Sequence, residues 1–182
     1  MSQNTNYLFT NPTDFTAIPV TTKLQTLPFN ELSWENFERL TLKYASYSGK
    51  LDSYCALYGK RGEKQEGIDL YVRNNHNEYY SVYQCKRHKK YSADKVKKAV
   101  DEFLKGKWFK KTNAFYLCTS CSLDSTTVCD EIERQFKRLK KKNIELIILD
   151  GERLSVLLKE IPVIVYDFFG MPWTVSFCGD EA

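Results

Sequence analysis

Within GIDLYVRNNHNEYYSVYQCKR, residues 67–87, an acid at Asp69 is followed by an amide at Gln84 and an ammonium at Lys86. A carboxylate and an amide oxygen held side by side can grip a hydrated cation, and a lysine beside them can steady developing negative charge. That chemistry requires the chain to bring the three together. Ile68, Leu70 and Val72 alternate with Asp69, Tyr71 and Arg73, the period of two expected of a strand. NNHNE, centred near His76, supplies a turn, and YYSVYQCKR returns as the second strand of a predicted hairpin. A turn there pairs positions whose numbers sum to about 153, which sets Asp69 opposite Gln84 on a shared face, with Lys86 projecting from the same side. A slip of one residue would send Gln84 and Lys86 behind the sheet. Taken singly, each has an ordinary reading: Asp69 as a turn end, Gln84 as an exposed strand residue, Lys86 as a charge blunting a sheet edge.

Other elements must hold this hairpin in place. In NELSWENFERLTLKYAS, Ser33 suits an N-cap, and Trp34, Phe37, Leu40, Thr41 and Tyr44 form one buried helical stripe. Glu38 lies on the border of that stripe, where its carboxylate can reach inward. An apolar piece at Tyr54 to Tyr58 and a turn at Gly59 to Gly62 precede the hairpin. After it, Ser92 is a plausible cap for a helix burying Val96, Ala99, Val100, Phe103 and Leu104. NAFYLCTSC is a continuous apolar run, the pattern of a strand covered on both faces. A helix with Val128, Ile132, Phe136 and Leu139 inside follows, then a buried strand in IELIILD and a short helix stopped by Pro162. This alternation predicts an α/β domain with a mixed central sheet flanked by helices. The expected layout is an irregular arm over 1–27, a domain over 28–160 and an apolar extension over 161–182, which packs on the domain or leads to a further region.

At 182 residues the chain suits a single core of ordinary size, and no stretch approaches the ~18 uncharged apolar residues of a membrane span. The N-terminus has no basic start followed by an apolar run, which implies a cytoplasmic protein without a membrane partner. Six cysteines fit that compartment as free thiols, and the single CxxC, Cys118 and Cys121, has no second pair to complete a zinc ribbon. The net charge of +4 is focused: Lys86 to Lys111 holds eleven Lys or Arg against Asp94, Asp101 and Glu102, leaving the rest of the chain at −4. Such a segment is either an electrostatic footprint for phosphates or a solvated helix face.

With Glu38 on the first helix, GID ending at Asp69, QCK ending at Lys86 and an αβαβ half behind them, residues 28 to 150 resemble the PD-(D/E)xK nuclease superfamily, in its Mrr-like restriction endonuclease branch. The resemblance implies a restriction-endonuclease-like fold and a Mg²⁺-dependent endonuclease, with Mn²⁺ as substitute, cutting double-stranded DNA in restriction or anti-phage defence. It implies a catalytic set of Asp69, Gln84, Lys86 and Glu38. Asp69, the Gln84 amide oxygen and the Cys85 backbone carbonyl would be metal ligands, with Glu38 acting through a water, and Glu66 is a spare carboxylate. Gln84 departs from the glutamate of many members and gives the metal one charge fewer. Arg87, His88, Lys89 and Lys90 would guide the scissile strand, while Lys95, Lys97 and Lys98 track backbone farther off. The expected state is a homo-oligomer or one part of a larger multidomain chain. Two other classes stay open: a catalytically silent nucleic-acid-binding module, suggested by Gln84 and the basic segment, and an oligomerisation or adaptor domain, suggested by 14% aromatic residues.

Overall fold

A computed structural model describes residues 26–49, 53–59, 63, 65–74 and 78–179. Most of the arm, the turn at His76, most of the Gly59 to Gly62 turn and the last three residues lie outside them. Helix α1 spans Trp34–Ser48, capped as expected by Ser33, whose hydroxyl accepts from the Asn36 N–H at 3.1 Å. Strands β1 (Ser53–Leu57), β2 (Leu70–Asn74) and β3 (Tyr80–Lys86) follow, then helix α2 (Ala93–Lys105). A 3₁₀ turn at Trp108–Lys111 leads into β4 (Thr112–Thr119), α3 (Thr126–Lys140), β5 (Glu145–Leu149) and α4 (Gly151–Lys159). The apolar tail forms two short helices, α5 (Pro162–Phe169) and α6 (Met171–Cys178).

The five strands lie in the order β1-β2-β3-β4-β5. β2 runs antiparallel to both its neighbours, β1 and β3, whereas β4 and β5 join parallel to β3, so the sheet is mixed. Side chains alternate between two cores. Leu70, Val72, Tyr83, Cys118 and Leu149 face α1, α4, α5 and α6, where Phe29, Phe37, Leu40, Leu154, Ile164 and Phe177 pack against them. Val82, Phe115, Leu117 and Leu146 face α2 and α3, meeting Val96, Val100, Phe103, Val128 and Leu139. The uninterrupted apolar run of β4 thus reflects a strand buried on both faces. Leu27, expected in the arm, belongs to the first core, and its N–H donates to Ser155 Oγ at 3.0 Å.

Four expectations about faces change. Trp34 sits in the first turn of α1 and is 37% exposed, so the buried stripe begins at Phe37. Ile68 packs with Val82 and not with Leu70, because it precedes β2 and follows a turn in which Glu66 and Gly67 take φ of +52° and +79°. On α3 the buried residues are Val128, Glu131, Gln135 and Leu139, while Phe136 is exposed. The polar pair turns inward because Gln135 Nε2 donates to Glu131 at 2.6 Å, and Arg138, next to them, reaches Asp101 of α2. Ser92 precedes α2, but its hydroxyl accepts no capping hydrogen bond from the first turn.

Candidate active site

β2 and β3 pair Leu70 with Tyr83, Tyr71 with Val82 and Arg73 with Tyr80, the register expected from the turn. Continued one step, it sets Asp69 opposite Gln84. The ladder does not continue regularly, because Asp69 is where β2 begins. Its N–H donates to the Tyr83 carbonyl at 2.8 Å, and its Oδ2 accepts from the Cys85 N–H at 2.6 Å. A side chain therefore takes the bond that a further β2 residue would have made. The N–H and C=O of a strand residue point toward the same neighbour, so the Cys85 carbonyl lies on this open edge too.

Gln84 is 1% exposed. Its Nε2 donates to Glu102 Oε2 of α2 at 3.4 Å, while its Oε1 is buried and has no hydrogen-bond partner. A buried polar atom left unpaired costs about 1–3 kcal/mol, so this oxygen is conspicuous. Lys86, two residues on, shares the face of Gln84 and is half-buried. Its charge is felt at both Asp69 and Glu38.

Burial pushes the Asp69 carboxyl above its usual range; the bond from Cys85 and the charge of Lys86 oppose that, and Glu102 adds to it. Glu38 approaches from α1. Burial, then the charges of Asp69 and Glu35, push its carboxyl up to about 7, with Lys86 pulling the other way. Asp69 thus bonds β3 through Cys85, the charges of Asp69 and Lys86 are felt at Glu38, and Gln84 bonds Glu102, which the sequence shows only as a negative charge. Its signal was its place on the border of the α2 stripe, three residues after buried Ala99 and next to buried Phe103.

Glu66 is not part of this group. Its carboxylate accepts from the Lys107 N–H at 3.1 Å and faces the Lys107 ammonium at 3.7 Å, just past the end of α2. Among the described residues no three His, Cys, Asp or Glu side chains gather as a metal cluster. The oxygens on and around this edge are of mixed type: the Asp69 carboxylate bonded to Cys85, the orphaned Gln84 carbonyl, and the Glu38 carboxyl that feels the Asp69 charge. Oxygen donors of this type are those that a hard cation keeping several waters takes.

The proposed phosphate contacts separate into two kinds. Lys89, Lys90, Lys97 and Lys98 are exposed. Arg87 is tied down, donating to the Asn30 carbonyl at 3.0 Å, and Lys95 is half-buried, its ammonium 3.4 Å from the Lys90 carbonyl and 5.8 Å from the Tyr91 ring. The His88 N–H donates to Ser120 Oγ at 3.0 Å, and partial burial, then Lys95, Lys86 and Arg87, hold its imidazole below the usual range. No family model matches the chain, and no curated protein matches it significantly.

Proposed function

We propose that the chain is a metal-dependent endonuclease of the PD-(D/E)xK type, with a restriction-endonuclease-like fold, hydrolysing phosphodiester bonds of double-stranded DNA. The reading is carried by one observation: where the β2–β3 ladder stops, the Asp69 side chain holds the Cys85 N–H, and Gln84, next to Cys85, keeps a buried carbonyl oxygen with no partner. Asp69, Gln84 Oε1 and the Cys85 carbonyl would hold Mg²⁺, with Glu38 reaching it through a water. When bound, the ion supplies positive charge at the phosphate and makes a bound water more acidic.

The chain's own groups do the rest. The Lys86 ammonium, whose charge is felt at Asp69 and Glu38, orients the attacking water and offsets the charge of the hydroxide as it forms. Asp69 is held in place by the Cys85 N–H, so its second oxygen stays on the open edge. Exposed Lys89, Lys90, Lys97 and Lys98 line the approach and neutralise phosphates without reading bases.

Plasmid DNA incubated with the protein and Mg²⁺ or Mn²⁺ tests this. Nicking or linearisation is expected, lost on chelation. It should fall by roughly 10² or more in Asp69→Asn, which keeps an acceptor for the Cys85 N–H while removing the charge, and in Lys86→Ala. Undiminished cutting by both variants refutes the assignment. The neutral amide at position 84 favours one second reading, a catalytically silent nucleic-acid-binding module. Salt-sensitive binding with no cleavage in either metal would establish it. A role in restriction or anti-phage defence follows only from the resemblance.

A further inference from the structure

We infer that Glu102 is a positioning residue for this site: it fixes the Gln84 amide so that Oε1 is left for a cation. The inference rests on the nuclease reading above.

Gln84 is 1% exposed, so the protein groups around it decide which end of its amide points where. Nε2 faces Glu102 Oε2 at 3.4 Å. The reversed amide would put a carbonyl oxygen against a carboxylate, two acceptors with no proton between them. Glu102 therefore selects one orientation, and the unpartnered Oε1 is its consequence. The Glu102 side chain is 42% exposed, and Lys98, one turn back, lies 3.9 Å away. The backbone that carries it is pinned. A Cβ on Gly67 would lie 2.6 Å from Phe103 N and 2.7 Å from Glu102 C, so the turn before Asp69 and the helix carrying Glu102 are packed backbone to backbone. Asp69, Gln84 and Glu102 form one unit, and the charge of Glu102 is felt at Asp69.

This gives the amide at position 84 a physical reason. A carboxylate there would face Glu102 as a like charge in a buried setting. An amide instead binds Glu102 through its N–H and, polarised by it, presents a more negative carbonyl oxygen to the opposite side. Part of the charge missing from position 84 is thereby supplied from α2.

Two readouts test the inference. In metal-free, ¹⁵N-labelled protein, the Gln84 side-chain amide pair is identified by its loss in Gln84→Met. In Glu102→Ala the pair should shift and exchange with water about tenfold faster or more, while in Glu102→Gln, which still offers an oxygen acceptor, it should stay close to wild type. In plasmid cutting, Glu102→Ala should raise the Mg²⁺ concentration for half-maximal rate by roughly tenfold, with the rate at saturating Mg²⁺ within about threefold, as expected of a group that orients a ligand. An unmoved amide pair in Glu102→Ala, or an unchanged Mg²⁺ dependence, overturns the inference. A moved pair in a wild-type protein that cuts DNA in neither metal overturns the nuclease reading and reduces Glu102 to a structural partner of Gln84.

Discussion

Glu38 has the most unusual single-residue environment of the site, a carboxyl held at about 7 by burial and by the neighbouring charges of Asp69 and Glu35. Its folded pKa lies above the ordinary value of 4.5, so the native state binds the proton more tightly than the unfolded chain. The stability that this proton confers is fully present below pH 4.5 and is lost as pH rises through about 7. Asp69, also raised, acts in the same direction. Metal-free wild type should therefore lose stability relative to Glu38→Gln between about pH 5 and pH 8. The loss is on the order of 1–2 kcal/mol once solvent screening of a half-buried group is allowed for. Urea unfolding of both proteins across that range measures it, and parallel curves would show that Glu38 does not titrate as described. At this scale the hairpin was legible because its alternation and its turn fix the register from Leu70 to Arg73, one step short of Asp69. Glu102 was not, because a helix contacts a strand at an angle that no spacing along the chain encodes.

Among the elements, the decisive feature is how early β2 stops. Glu66 and Gly67 turn the chain with positive φ, and Asp69 then uses its side chain where a longer strand would have used its backbone. That turn dovetails with the end of α2: a Cβ on Gly106 would lie 2.5 Å from the Glu66 carbonyl, as one on Gly67 would meet Phe103 and Glu102. Gly67→Ala combines left-handed strain, about 1–2 kcal/mol, with a backbone collision that only a shift of α2 relieves. It should lower stability by roughly 2–4 kcal/mol in denaturant unfolding and reduce cutting at a temperature where the variant is still folded. Retained activity with that loss of stability would show that α2 can move without disturbing the site. Helix α2 was readable from its apolar period, since it packs flat on the sheet. Helix α3 was misread because its inward face is partly polar, with Glu131 receiving Arg134 at 2.5 Å and Gln135 at 2.6 Å. A buried polar network leaves no trace in hydrophobic spacing.

The whole molecule is a mixed sheet between two helical layers, and the alternation of elements in the chain announced that much. Helices α5 and α6 are so apolar that their periodicity is weak, and they became legible only through Ile164, Val165 and Phe177 packing against the α1 core. Charge is distributed as unevenly in space as along the chain. The basic stretch from Lys86 to Lys111 passes from the end of β3 beside Asp69 through α2, while the remaining residues sum to −4. A surface of this kind attracts phosphates by releasing counterions, which makes its contribution a matter of salt. If Lys89, Lys90, Lys97 and Lys98 each neutralise one phosphate, the slope of log K against log salt for duplex DNA is about −3.6 from them alone. Replacing Lys89 and Lys90 by alanine should flatten the slope by about 2 and weaken binding of all sequences alike. Arg87 should behave differently despite its charge. Its guanidinium is committed to the Asn30 carbonyl, so Arg87→Ala should leave the slope nearly unchanged while loosening the 3₁₀ turn at Phe29–Glu31. Filter binding or fluorescence anisotropy over a salt series separates the two effects. Equal slope changes at Arg87 and at the exposed lysines would mean that Arg87 leaves Asn30 for a phosphate when DNA is bound.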